Sequence, residues 1–159
     1  MITWNEMLIQ VLAGFIGTYA FSLTYSVSAR HYFFAGLTGA IGWAAYLFFL
    51  KIIGYSVVTS TFFSTLFIAT SARCFAVWRR CPSMIFLIPG LFPIVPGAGI
   101  YWSFYYLFVK NLDKSLDFGL LAIKSALAIV LGIVLIHEIP HKTFKIFKVF
   151  HRFSKEKID

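Results

Sequence analysis

Pro89-Gly-Leu-Phe-Pro93-Ile-Val-Pro96-Gly-Ala-Gly99-Ile-Tyr101 is the stretch on which the reading of this chain turns. It lies inside an uncharged run, residues 81–109, that holds four of the chain's five prolines. As one straight helix that run would be about 43 Å long, well beyond the ~30 Å of hydrocarbon in a bilayer. Each proline removes a backbone donor and clashes with the turn before it, and Gly90, Gly97 and Gly99 admit conformations that other residues resist. The expectation is two half-helices, 84–88 and 100–109, joined by an unwound stretch at membrane depth and broken at Pro89–Gly97. Unwound backbone at that depth survives only when buried in protein or lining a water-filled cavity. Interrupted spans of this kind form solute sites, in which exposed carbonyls and helix N-terminal amides meet the charged ends of a small molecule. On that reading Pro89, Gly90, Pro93, Pro96, Gly97, Gly99 and Tyr101 are candidate substrate-binding residues; the alternative is a proline-kinked structural helix near an interface.

Outward from this stretch, further runs free of Asp, Glu, Lys and Arg cover 7–29, 32–50 and 52–72, and 118–136 is interrupted only by Lys124. Each approaches or exceeds the roughly 20 residues of a membrane-spanning helix. The chain is 60% hydrophobic and 13% charged, against about 25% charged in a soluble domain. Its mean hydropathy is +0.83. A water-soluble packing of this size cannot hide so much apolar surface. The fold class is therefore an all-α membrane protein of about five transmembrane helices. The spans fall near 7–27, 33–50, 54–72, 84–109 (the broken one) and 118–138, in a single integral membrane domain, 1–159. No Lys or Arg precedes the first run, so it is expected to be a retained span and not a cleaved signal.

Orientation follows from the cations. Arg30, Arg73, Arg79, Arg80 and six Lys and Arg of the tail 141–159 fall on one side, whereas Lys51, Lys110 and Lys114 fall on the other. Ten against three places the N-terminus outside and the C-terminus in the cytoplasm. The count agrees only if 81–109 crosses the membrane completely. The tail gathers Ile146, Phe147, Val149, Phe150 and Phe153 opposite Lys145, Lys148, Arg152 and Lys155, the pattern of a basic amphipathic helix held by anionic lipid. The net charge of +8 needs no nucleic acid to explain it.

Helices associate in lipid through small residues. The second span supplies them at Gly36, Gly39, Ala40 and Gly42, which are candidate packing residues and suggest a central position. The third span carries Ser60, Thr61, Ser64 and Thr65 at helical spacing, either bonded back to their own helix or lining a polar route. Arg30 and Arg73 mark span ends, and Arg73 is also a candidate to meet a substrate carboxylate. Lys124 sits close enough to the start of its span to snorkel outward.

No cofactor or metal is expected. His137-Glu138-Ile-Pro140-His141 matches a zinc-protease pattern, but Pro140 spoils the helix that would align the histidines. Cys74 and Cys81, without nearby histidines, make a poor zinc site. No nucleophile, paired acid or metal set remains to suggest an enzyme.

The segments Ala35-Gly-Leu-Thr-Gly-Ala-Ile-Gly-Trp43 and Phe86-Leu-Ile-Pro-Gly-Leu-Phe-Pro-Ile-Val-Pro-Gly-Ala-Gly-Ile-Tyr101 resemble the threonine/serine exporter (ThrE-type) family, in its smaller YjjB-like membrane subunit. The resemblance implies a secondary transporter in the cytoplasmic membrane that exports threonine and serine, driven by the proton or charge gradient. It also implies a larger membrane subunit as partner, hence a hetero-oligomer. Some relatives are associated with dicarboxylates. The chain departs from the family pattern at Ser28-Ala29-Arg30, where many members have a proline before the arginine. It departs again at the end of the third span, where many have an acid and this chain has Arg73. The alternative functions are an accessory subunit that scaffolds its partner without touching substrate, or an exporter of another small carboxylate such as a dicarboxylate.

Overall fold

A computed structural model describes residues 4–25 and 27–139. They form six α-helices: α1 (Trp4–Thr24), α2 (Tyr32–Leu47), α3 (Val57–Arg79), α4 (Met84–Leu91), α5 (Gly97–Phe108) and α6 (Leu112–Glu138). There is no strand among the described residues. The expected amphipathic tail at 141–159 lies outside them.

Local chemistry marks the ends. A π-helical turn, Phe48–Ile53, continues α2, and Gly54 at φ 83° stops it, a left-handed conformation that favours glycine. Ser56 caps α3 by accepting a hydrogen bond from the Thr59 amide, which satisfies one of the four donors left open at a helix start. Asn111 does the same for α6 through the Lys114 amide at 3.3 Å. The last helix therefore begins at Leu112, several residues before the apolar run that announces it.

Side-chain contacts fix the directions of the helices. Gly14 meets Trp43 while Gly39 meets Thr18, so α1 and α2 are antiparallel. The Ser64 hydroxyl donates to the Gly42 carbonyl at 2.7 Å, and Phe34 packs on Phe75 and Trp78, so α2 and α3 are antiparallel too. His31 lies against Phe86 and Thr38 against Gly90, so α4 runs parallel to α2. Gly132 packs on Thr65, and Arg73 reaches the carbonyls of Ile136 and Ile139, so α3 and α6 run the same way. The chain must cross from the end of α3 back to the start of α6, and α4 with α5 makes that crossing.

Four helices are long and apolar enough to span a membrane, and the bent pair Met84–Ile94 and Gly97–Phe108, at 46°, makes up a fifth span. The pair is a broken span, not a hairpin that returns to its own side. This is an all-α, multi-pass membrane protein. Arg30, Arg79 and Arg80 lie at one end of the bundle and Lys51, Lys110 and Lys114 at the other. At the arginine end, Arg79 donates to the Arg30 carbonyl at 3.2 Å and lies over the Phe34 ring.

Helix α2 packs on α1, α3 and α4. A methyl group on Gly39 would stand 2.0 Å from the Thr18 hydroxyl oxygen, and one on Gly42 would stand 2.3 Å from Ile68. The backbones thus meet at distances that only glycine allows. Ala35, Ile68, Ala69, Ala72 and Phe86 are fully buried where α2, α3 and α4 converge.

Helices α5 and α6 are joined differently. The Ser103 hydroxyl donates to the Ser115 carbonyl and the Ser115 hydroxyl to the Ser103 carbonyl, each at 2.9 Å. Interhelical hydrogen bonds in membranes contribute about 0.6 kcal/mol each. Each hydroxyl here meets a backbone acceptor that survives mutation of the other residue. Ser103→Ala and Ser115→Ala are therefore expected to destabilise by about 0.6 kcal/mol apiece, with additive losses in the double variant, measured by denaturant titration in mixed micelles.

Candidate functional site

The break is narrower than the sequence suggests. Of the expected unwound region, only Val95 and Pro96 leave helical conformation; α4 runs regularly to Leu91, a 3₁₀ turn covers Phe92–Ile94, and α5 begins at Gly97. Pro89 and Gly90 lie inside α4, and Gly97 and Gly99 in the first turn of α5. The expected half-helices, 84–88 and 100–109, each extend three residues further toward the break.

Three prolines look alike in sequence but act differently in the fold. The missing donor of Pro89 falls in a short helix held against α2, where Gly90 meets Thr38. Around Pro93 the helix tightens to 3₁₀ geometry, and the Phe92 amide takes the Pro89 carbonyl. At Pro96 the chain yields. Val95, as the residue before proline, is pushed out of the helical region to φ −59°, ψ 130°. Pro96 then sits at φ −76°, ψ 47°, with the Gly97 amide donating to the Val95 carbonyl at 2.7 Å, an inverse γ-turn.

The break lies deep. Gly99 packs on Ala122, about 15 Å along a helix about 40 Å long, and Pro96 is nearly a turn further in. The amides of Ala98 and Gly99 and the carbonyls of Pro93 and Ile94 find no backbone partner among the described residues. The amides sit at the positive end of α5 and suit an anionic group, and the carbonyls suit a cationic one. Both ends of a small zwitterion could be met here without any charged side chain.

A cavity of about 280 Å³ adjoins the turn on its α4 side. It is lined by Gln10, Gly17 and Thr18 of α1, Trp43 of α2, and Phe92 and Pro93. Sequence reasoning missed Gln10, Thr18 and Trp43. The available signal was that Gln10 is the one side-chain amide in the uncharged run 7–29. Thr18 is fully buried, and its hydroxyl oxygen has no conventional hydrogen-bond partner and faces the α-carbon of Gly39.

The other candidates lie elsewhere. Tyr101 is 62% exposed on α5. Arg73, 3% exposed, is at the far end of α6, where its guanidinium donates to the Ile136 and Ile139 carbonyls, the latter at 2.8 Å. The packing candidates Gly36, Gly39, Ala40 and Gly42 are all buried in α2. The α3 hydroxyls do not gather at the break. Thr61 and Thr65 bond back to carbonyls of their own helix, Ser64 bonds to α2, and Ile68 is the α3 residue that meets Gly90. In the connection between α3 and α4, burial pushes the Cys81 thiol above its ordinary range, offset in part by Arg79.

A helical bundle with one span broken at mid-depth, backbone groups left open there and a solute-sized cavity alongside has the architecture of a multi-pass membrane transporter. The family comparison is more particular: the model described as Threonine/Serine exporter, ThrE, matches residues 10–139, and the chain belongs to that family. No curated protein and no solved structure matches the chain.

Proposed function

We propose that this chain is one subunit of a secondary transporter that exports threonine and serine across the cytoplasmic membrane, working with a larger membrane subunit. The supporting observation is the break at Val95–Pro96, with the Ala98 and Gly99 amides and the Pro93 and Ile94 carbonyls open at mid-depth. On this reading the carboxylate of the solute docks at the start of α5, and its ammonium group at the carbonyls before Val95. Gln10 and the cavity beside Phe92 and Pro93 receive the short side chain. The cavity supplies no charged side chain, which favours a solute of no net charge over a dicarboxylate.

The orientation proposed is N-terminus outside and C-terminus cytoplasmic, from the arginines at one end of the bundle and the positive-inside rule. The tail beyond residue 140 then lies where anionic lipid can hold it.

The test is efflux of radiolabelled threonine and serine from cells lacking both subunits, then supplied with the pair. Restored efflux that disappears with Gly97→Leu, while the protein remains in the membrane, is the expected result. Export of a dicarboxylate and of neither amino acid would overturn the substrate assignment. Efflux unchanged by Gly97→Leu would overturn the site.

A further inference from the structure

Three basic side chains converge where α2 begins and α3 ends. Arg79 donates to the Arg30 carbonyl at 3.2 Å, and its guanidinium lies 5.1 Å from the centre of the Phe34 ring. The charges of Arg30 and Arg79 both act on the His31 ring, which is half-buried against Phe86. Both arginines are exposed. A guanidinium carries several N–H donors. The remaining donors of Arg79, and all those of Arg30, have no hydrogen-bond or ion-pair partner among the described residues.

No acid answers these charges. Among the described residues Glu6, Asp113 and Asp117 belong to the opposite end of the bundle, and Glu138, at the close of α6, forms no ion pair. The tail 141–159 brings six cations against two acids, and so adds to the excess. The positive-inside rule needs cations on this side of the membrane, but not that they meet in one place. Like charges gathered without a counter-charge repel, so an anion is the missing member of the group.

We propose that Arg30, Arg79 and His31 seat the phosphate of an anionic phospholipid from the cytoplasmic leaflet. Guanidiniums bind phosphate oxygens through paired donors, and the Arg30 carbonyl holds Arg79 in place before any ligand arrives. The surface beneath separates a lipid from a free phosphate. Trp78 packs edge-on against Phe34 at 5.1 Å and is itself 54% exposed. Trp78 and the exposed Tyr25, just past α1, mark the level of the headgroups, where such rings settle. A headgroup at the arginines therefore has its acyl chains beside exposed apolar rings, which soluble phosphate could not use. The negative potential of the cytoplasmic leaflet concentrates lipid of this charge at the same level. The seat is separate from the break and holds whichever solute the exporter carries.

The experiment is native mass spectrometry of the delipidated complex with its partner subunit, titrated with phosphatidylglycerol. Releasing the 18.1 kDa chain in the gas phase reads the lipid that this chain retains. One phosphatidylglycerol on the chain is expected, in preference to phosphatidylcholine. Arg30→Gln keeps the carbonyl that holds Arg79, so it leaves the packing intact, and it is expected to weaken retention about fivefold. Adding Arg79→Gln should bring the loss to at least about twentyfold. Arg80→Gln removes the same charge from the same end but outside the group, and should weaken retention by at most about twofold. Equal losses from Arg80→Gln and Arg30→Gln, or no loss in the double variant, would overturn the proposal. So would equal retention of phosphatidylcholine, displacement of the lipid by inorganic phosphate, or a chain released without lipid because the partner subunit covers the arginines. Lipid retention is read without any transport assay, so its outcome is independent of the efflux result.

Discussion

Pro96→Ala is expected to reduce threonine efflux by at least about tenfold while leaving the protein inserted at its normal level. Alanine restores an amide at 96 and frees Val95 from the exclusion that proline imposes on its predecessor. The Phe92 carbonyl gains a helical donor, and the two pieces of the span can join. Each backbone hydrogen bond contributes about 1 kcal/mol in water and more where no water competes, so a straightened span is favoured by well over the 1.4 kcal/mol that corresponds to a factor of ten. Straightening the 46° bend removes the open amides and carbonyls together. Spin labels on α4 and α5 would show the angle directly, as a longer label-to-label distance in the variant. Pro89→Ala provides the contrast. It adds a donor inside a helix that is already regular, so its expected effect on efflux is several-fold smaller. Equal losses from the two variants would show that the proline count matters and not the location of the break.

That contrast also marks how far the sequence could be read. The spans were legible because a lipid solvent forbids charge over about 20 residues, and the uncharged runs obey that rule. The small residues of α2 were legible because helix–helix contact in lipid depends on them. The existence of a break was legible from proline chemistry. Its width was not, because whether a proline breaks a helix depends on what holds the helix around it. Gly90 seated against Thr38 keeps α4 regular past Pro89, and nothing near Pro89 in sequence announces that contact. The cavity was illegible for a related reason, since Gln10 and Thr18 come to line one cavity with Phe92 and Pro93 only after α1 and α4 are packed. Asn111, by contrast, could have been recognised as the cap of α6 from its side chain alone.

Arg73 is the other position where a large effect is expected. It lies on α3, one and a half turns before the end, and is almost wholly buried. The last carbonyls of a helix have no N–H donors within it and carry its negative end. Arg73 supplies both the donors and the opposing charge to α6, bonding Ile136 and Ile139 with two nitrogens of one planar group. A hydrogen bond to a charged group contributes about 1.5–3 kcal/mol, so Arg73→Met is expected to lower the unfolding free energy in micelles by about 2–4 kcal/mol, partial hydration at the helix end setting the lower bound. Lysine keeps the charge without the fork that reaches two carbonyls, so Arg73→Lys should recover less than half of that loss. If the clamp is the whole role of Arg73, export in both variants falls only in proportion to the folded protein remaining. An Arg73→Lys protein that folds normally yet exports nothing would instead assign the guanidinium to the carboxylate of the solute.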